Sequence, residues 1–185
     1  MAVDYRKWEK TVLSQKYRLH YILFNLGDCP HQKMDIAILA DVSRSMKMDD
    51  RNKTLQLIDR LIDKLGVSSE GTHYGFISFN RFATLHNTFE DPMYHNENNL
   101  KTKMGEEIMN FQEKWGTRTD LAFNLAATQL FTPVSGDRPD AKNVMLVFTD
   151  GKPKQLRIDH QPIIYFSKST KALEVSQSWT LRSCS

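Results

Sequence analysis

The chain has 185 residues, 40% apolar and 25% charged, with a formal net charge of +3. That length supports one domain with a sizeable core, and that composition is ordinary for a globular protein. The charge is too small, and too little interleaved with aromatic residues, to point to a nucleic-acid partner, and no apolar run approaches the roughly 20 residues that cross a bilayer.

Charge is unevenly placed. Residues 1–33 carry six Lys/Arg against three acids, residues 34–151 carry thirteen against seventeen, and residues 152–185 carry six against two. A mildly acidic body thus lies between two basic ends. The start, Met1-Ala2-Val3-Asp4-Tyr5-Arg6-Lys7-Trp8, lacks the apolar stretch of a secretory signal. Cys29 and Cys184 cannot make a zinc site by themselves, and a bridge between them or two free thiols both fit the sequence.

Residues 1–33 read as an N-terminal extension, with a charged helix over 4–18 and a stop at Gly27-Asp28-Cys29-Pro30. Residues 35–40 are a continuous apolar run, expected of a strand covered on both faces. It exits into Asp41-Val42-Ser43-Arg44-Ser45, a loop rich in oxygen donors. Asp49 and Asp50 are expected to cap the next helix, whose Leu55, Ile58, Leu61, Ile62 and Leu65 recur at helical spacing before Gly66. Strands are expected over 74–79 and 83–89, joined as a hairpin through Asn80-Arg81, then a polar loop over 91–99. Helices are expected over 100–115 and 121–131, a turn-rich connection over 133–143, and a buried strand over 144–148 that ends at Thr149-Asp150-Gly151. The six histidines show no metal-ligand spacing and read as solvated residues. Asn52-Lys53-Thr54 matches the glycosylation triplet but lies at a helix start.

Strands alternating with helices imply a doubly wound, mostly parallel, Rossmann-like α/β sheet with helices on both faces. Ligands of such sheets bind beyond the carboxyl ends of the strands, where strand order reverses. Asp41 and Asp150 both end strands, and as neighbours they would share one crevice. An Asp followed by hydroxyls two and four residues on can wrap one side of a hard, six-coordinate cation.

These pieces resemble a von Willebrand factor type A domain, also called an integrin I domain. The matching stretches are residues 35–46, Gly116-Thr117-Arg118-Thr119-Asp120-Leu121-Ala122, and residues 144–153. The resemblance covers residues 34–153 and implies a metal-ion-dependent adhesion site. It implies that Ser43 and Ser45 bind the metal through hydroxyls, Asp41 directly or through water, Thr117 from a mobile loop, and Asp150 through water, with Thr119 second choice to Thr117. The implied cofactor is Mg²⁺ or Mn²⁺. The implied partner is an extracellular-matrix or cell-surface protein that offers a Glu or Asp, which places the domain outside the cell. No enzyme activity is expected. The other classes are an intracellular A-domain scaffold in a multiprotein assembly, and a haloacid dehalogenase-type phosphohydrolase, which wants a second acid where Ser43 stands.

Two departures stand out. Arg44, expected to point into solvent, separates the serines where the family often has a small residue. After Gly151 the family continues with a helix, a strand, a helix, a strand and a closing helix. Here residues 154–185 offer one strand-like run, 163–166, and read as a divergent, truncated segment. The sheet is therefore expected to lack C-terminal strands, leaving 144–148 as an edge.

Overall fold

The computed structural model describes residues 33–110, 116–150, 163–167 and 173–174, the last two stretches by backbone alone. Six strands form one sheet in the order β3-β2-β1-β4-β5-β6. They are β1 (Met34–Asp41), β2 (Thr72–Phe79), β3 (Ala83–Asn87), β4 (Lys142–Phe148), β5 (Ile163–Ser167) and β6 (Leu173–Glu174). β1 is central and parallel to both β2 and β4, with Ala40 opposite Ser78 on one side and Phe148 on the other. β3 is antiparallel to β2.

Side chains of the central strands alternate between two cores, as the two-residue period of a strand requires. Ile36, Ile38, Phe76 and Leu146 face the helices α1 (Met48–Leu65) and α2 (Glu97–Met109), meeting Ile58, Ile62, Leu100 and Met104. Ala37, Leu39, Ile77 and Val147 face α3 (Thr119–Leu125) and the turn that follows it, meeting Ala122 and Phe123 of the helix and Ala126 and Leu130 of the turn. Full burial of each large apolar side chain stabilises the sandwich by about 1.5–3 kcal/mol. The expected doubly wound architecture, with helices on both faces, is the observed one. No helix among the described residues is long and apolar enough to cross a membrane.

Several expectations are corrected. The run 144–148 is not an edge, because β5 pairs with it in parallel from Val144–Ile163 to Phe148–Ser167. The following strand is two residues long and antiparallel, pairing Tyr165 with Glu174. Only five residues separate β5 from β6, too few for a helical crossover to a parallel strand. Asp49 and Asp50 do not cap α1. Lys47 occupies that position without a side-chain bond, and the two acids lie in the first turn, where the helix dipole favours them. Met46, just before that cap, is buried.

The polar stretch 91–99 is not a plain loop. The Asp91 side chain accepts from the Met93 N–H to start a 3₁₀ turn, and the Asn96 side chain accepts from Asn99 N–H to start α2 three residues early. The helix expected over 121–131 changes pitch at Ala126, and Phe131 N–H bonds to Ala126 O five residues back. The wider turn seats Leu130 against Gly75 of β2, where a Cβ would lie 2.5 Å from Leu130 Cδ1. The helix expected over 4–18, both cysteines and the region around Gly151 lie outside the described residues.

Histidines also depart from expectation. His73 is buried, with Nε2 2.8 Å from Ser69 O and its ring stacked on His95 at 4.1 Å. His86 is half-buried, with Nε2 2.7 Å from Ser78 Oγ and its ring on Phe76. Burial pushes both imidazoles below their ordinary pKa, against the raising effects of Ser69 O on His73 and of the Glu107 charge on His86. The folded state therefore binds fewer protons than the unfolded chain near pH 6, and this contribution is intact above about pH 6.5 and lost as pH falls below it. Thermal melts in chelator are expected to show the midpoint falling between pH 7 and 5, by about 1.4 kcal/mol of stability per unit of each depression. Carboxyls raised by burial, Asp41 among them, shift stability the other way, so the test is a comparison with His86→Gln: an identical pH response in the two proteins would contradict the burial of this ring.

Candidate metal centre

The site grows from the carboxyl ends of the two central strands. β1 delivers Asp41 in a nearly closed environment, 1% exposed. Its Oδ1 accepts the Ser43 N–H at 2.8 Å, which bends the loop back over the strand end, and its Oδ2 accepts the Thr149 hydroxyl at 2.7 Å. Ser43 Oγ lies 3.0 Å from Ser45 Oγ, and Ser45 donates to Asp150 Oδ1 at 3.1 Å. Thr117 donates to Ser43 Oγ at 3.4 Å. The five residues singled out in the sequence thus lie in one hydrogen-bonded chain, although Asp41 and Asp150 are more than 100 positions apart.

The third loop is held by its own contacts. Gly116 sits at φ +105°, a conformation side chains disfavour, and packs against Arg81 at the hairpin tip. The Arg118 N–H then bonds to Asn80 O at 2.7 Å. Thr119, the alternative donor, is buried at the start of α3 and its hydroxyl has no hydrogen-bond partner among the described residues. Of the two threonines, Thr117 reaches the cluster, through Ser43. Arg44 is exposed, as expected.

Burial pushes the Asp41 carboxyl above the ordinary carboxylate range. The bonds from Ser43 and Thr149 oppose this, and the nearby Asp150 charge adds to it. A divalent cation would relieve both the desolvation and the repulsion. The donor set fits such an ion, since two carboxylates and three hydroxyls are hard oxygen ligands of the kind Mg²⁺ and Mn²⁺ take. Among the described residues no group of three or more His, Cys, Asp or Glu could hold a metal ion, so a site here has to draw on hydroxyls as well as carboxylates.

Two residues of the site escaped the sequence reading. Thr149 was seen only as the neighbour of Asp150, yet its hydroxyl orients Asp41. Arg51 is fully buried beneath the first loop, where it donates to Val42 O at 2.9 Å and Ser43 O at 3.1 Å. A signal for Arg51 existed: it lies three, seven and eleven residues before Thr54, Ile58 and Ile62, on the buried stripe of its helix.

Comparisons with known proteins identify the family of this fold. The von Willebrand factor type A domain family matches residues 35–171. Mouse integrin alpha-X is 27% identical over 148 residues, covering 79% of this chain and 12% of the integrin. Human matrilin-4 is 30% identical over 127 residues, covering 67% of this chain and 20% of the matrilin. Proximal thread matrix protein 1 from the mussel byssus, solved with a zinc-occupied MIDAS motif, shares the fold at a TM-score of 0.59 and 15% identity, over 75% of this chain and 38% of that one. The chain therefore spans only a small part of the length of these curated relatives, and it belongs to the von Willebrand factor type A domain family.

Proposed function

We propose that this domain binds Mg²⁺ or Mn²⁺ through Ser43, Ser45, Thr117, Asp41 and Asp150, and that the bound ion captures a Glu or Asp of a protein partner. The observation that carries this reading is the continuous chain of hydroxyls from Thr117 through Ser43 and Ser45 to Asp150. Hydroxyl ligands carry no charge. An ion held by three of them and two carboxylates, one or both through water, keeps attraction for an outside carboxylate. The matrilin and integrin relatives favour a matrix or cell-surface partner, and so an extracellular place of action.

The geometry argues for binding rather than hydrolysis. Asp41 is closed in and its two oxygens accept bonds from Ser43 and Thr149, so it is not presented as a nucleophile. The intracellular-scaffold reading uses the same metal chemistry and differs only in the partner.

Calorimetric titration of Mg²⁺ and Mn²⁺ into the chain tests the proposal, with Asp41→Ala as comparison. The wild-type chain is expected to give a saturable heat and metal-dependent retention on an acidic matrix-protein surface, and Asp41→Ala to lose both. Mg²⁺ binding of unchanged strength in Asp41→Ala would show the site to be wrongly assigned.

A further inference from the structure

The fully buried Arg51 guanidinium joins two parts of the fold that each lead to the proposed metal site. Towards the first loop, Nε donates to Met46 O at 3.0 Å, and Nη2 donates to Val42 O and Ser43 O. In the opposite direction, Nη1 donates to Ile108 O at 2.6 Å and lies 3.5 Å from Asn110 O, at the end of α2. Asn110 precedes Gly116 by six residues, and Gly116 opens the loop of Thr117. A cation is well placed there, because the last carbonyls of a helix lack intrahelical partners and carry its negative dipole end. Only a planar fork with several N–H groups reaches five carbonyls at once. A lysine has a single ammonium and cannot span both ends.

We propose that Arg51 is a positioning residue for the metal centre: it holds the carbonyls on either side of the Ser43 and Ser45 pair and, with the same guanidinium, the carbonyls of Ile108 and of Asn110, the latter six residues ahead of Gly116, so that the segments carrying Ser43 and Thr117 keep one spacing around an ion. The proposal rests on the metal reading of the site. It goes beyond it by making the relative placement of two metal loops depend on a group that touches no metal. Residues that orient metal ligands typically cost about 10–100-fold in affinity when changed.

A double-mutant cycle on Mg²⁺ affinity tests this, using Arg51→Lys, Thr117→Ala and the pair. Arg51→Lys and Thr117→Ala are each expected to bind about ten-fold more weakly, and the pair within about two-fold of Arg51→Lys, because Thr117 is already displaced. Ile62→Val, a mild core change on the same helix, is expected to keep wild-type affinity, which separates positioning from lost stability. Should Arg51→Lys fail to fold, hydrogen exchange on the wild-type chain decides. Added Mg²⁺ is expected to slow exchange at Met109 and Asn110 together with residues 43–46. Losses that multiply in the pair, a neutral Thr117→Ala, wild-type affinity in Arg51→Lys, or protection confined to 43–46 would each overturn the proposal. Failure of the metal reading would look different, since the wild-type chain would then bind no Mg²⁺ at all.

Discussion

Arg138→Met is expected to destabilise the domain by about 3–5 kcal/mol, since it strips a buried carboxylate of its partner. Asp35 is wholly buried at the start of β1. Arg138 donates to its Oδ1 from Nε at 3.0 Å and from Nη2 at 2.8 Å, and the Arg138 N–H reaches Oδ2 at 2.8 Å. The same guanidinium also bonds to Met34 O and Gly71 O, tying the starts of β1 and β2 together. Two further titratable groups lie near Asp35: His73, with Nδ1 3.9 Å from Oδ1, and Asp137, whose carboxyl is pushed up by burial and, more weakly, by the Asp35 charge. In Arg138→Met a protonated His73 can stand in for the lost cation, so the penalty should be smaller at pH 5.5 than at pH 8. Adding Asp35→Asn should restore part of the loss by removing the stranded charge. Urea unfolding at the two pH values measures all of this. A loss under 1 kcal/mol at pH 8 would mean that the pair contributes far less than its geometry implies.

Asp41→Asn is expected to abolish metal binding while leaving the chelated protein as stable as the wild type or more so. The Asp41 carboxyl is held above its ordinary range, chiefly by burial. The folded, metal-free protein therefore holds its proton more tightly than the unfolded chain does. Stability falls as pH rises from the ordinary carboxylate pKa through the raised folded one. Asparagine removes that deficit, so the chelated variant is expected to melt no lower than wild type. Its amide oxygen still accepts the Ser43 N–H, and its NH₂ can donate to a rotated Thr149 hydroxyl. Excess Mg²⁺ should reverse the order, because an ion at a hundred times its Kd stabilises the wild type alone by about 2.7 kcal/mol. Melting curves with EDTA and with Mg²⁺ show whether the order crosses. An Asp41→Asn protein that melts well below wild type in EDTA would mean that Asp41 serves structure before metal.

The two expected losses fall at opposite ends of β1, and the sequence revealed them unequally. Asp41 stood out because a continuous apolar strand ends there in Asp-x-Ser-x-Ser, a weak pattern alone that the Gly116-Thr117 and Thr149-Asp150 stretches strengthen. The central strands were legible for the same reason, since a strand covered on both faces has no polar alternation to blur it. The Asp35–Arg138 pair was not, because its partners are 103 positions apart and nothing local marks a charge as buried. Local hydrogen bonds from Asp91 and Asn96 converted an expected loop into a 3₁₀ turn and a helix start. The short β6 was missed because two residues show no periodicity. Arg51 lay in plain view on an apolar stripe, but an arginine among leucines is ordinarily read as a solvated side chain.

The register of the sheet bears on how the chain reaches its folded state. β1 and β4 pair Met34 with Lys142 and Ala40 with Phe148, so the central ladder closes a loop of more than a hundred residues. Such distant pairing forms late and slowly, because chain entropy is lost before contacts repay it. Asp41 and Asp150 leave from these two strands and meet only when that ladder is complete. During synthesis the two carboxylates of the proposed cation site cannot meet until residue 150 has cleared the ribosome, so an ion held there would favour the paired central strands over earlier states while β5 and β6 are still to be added.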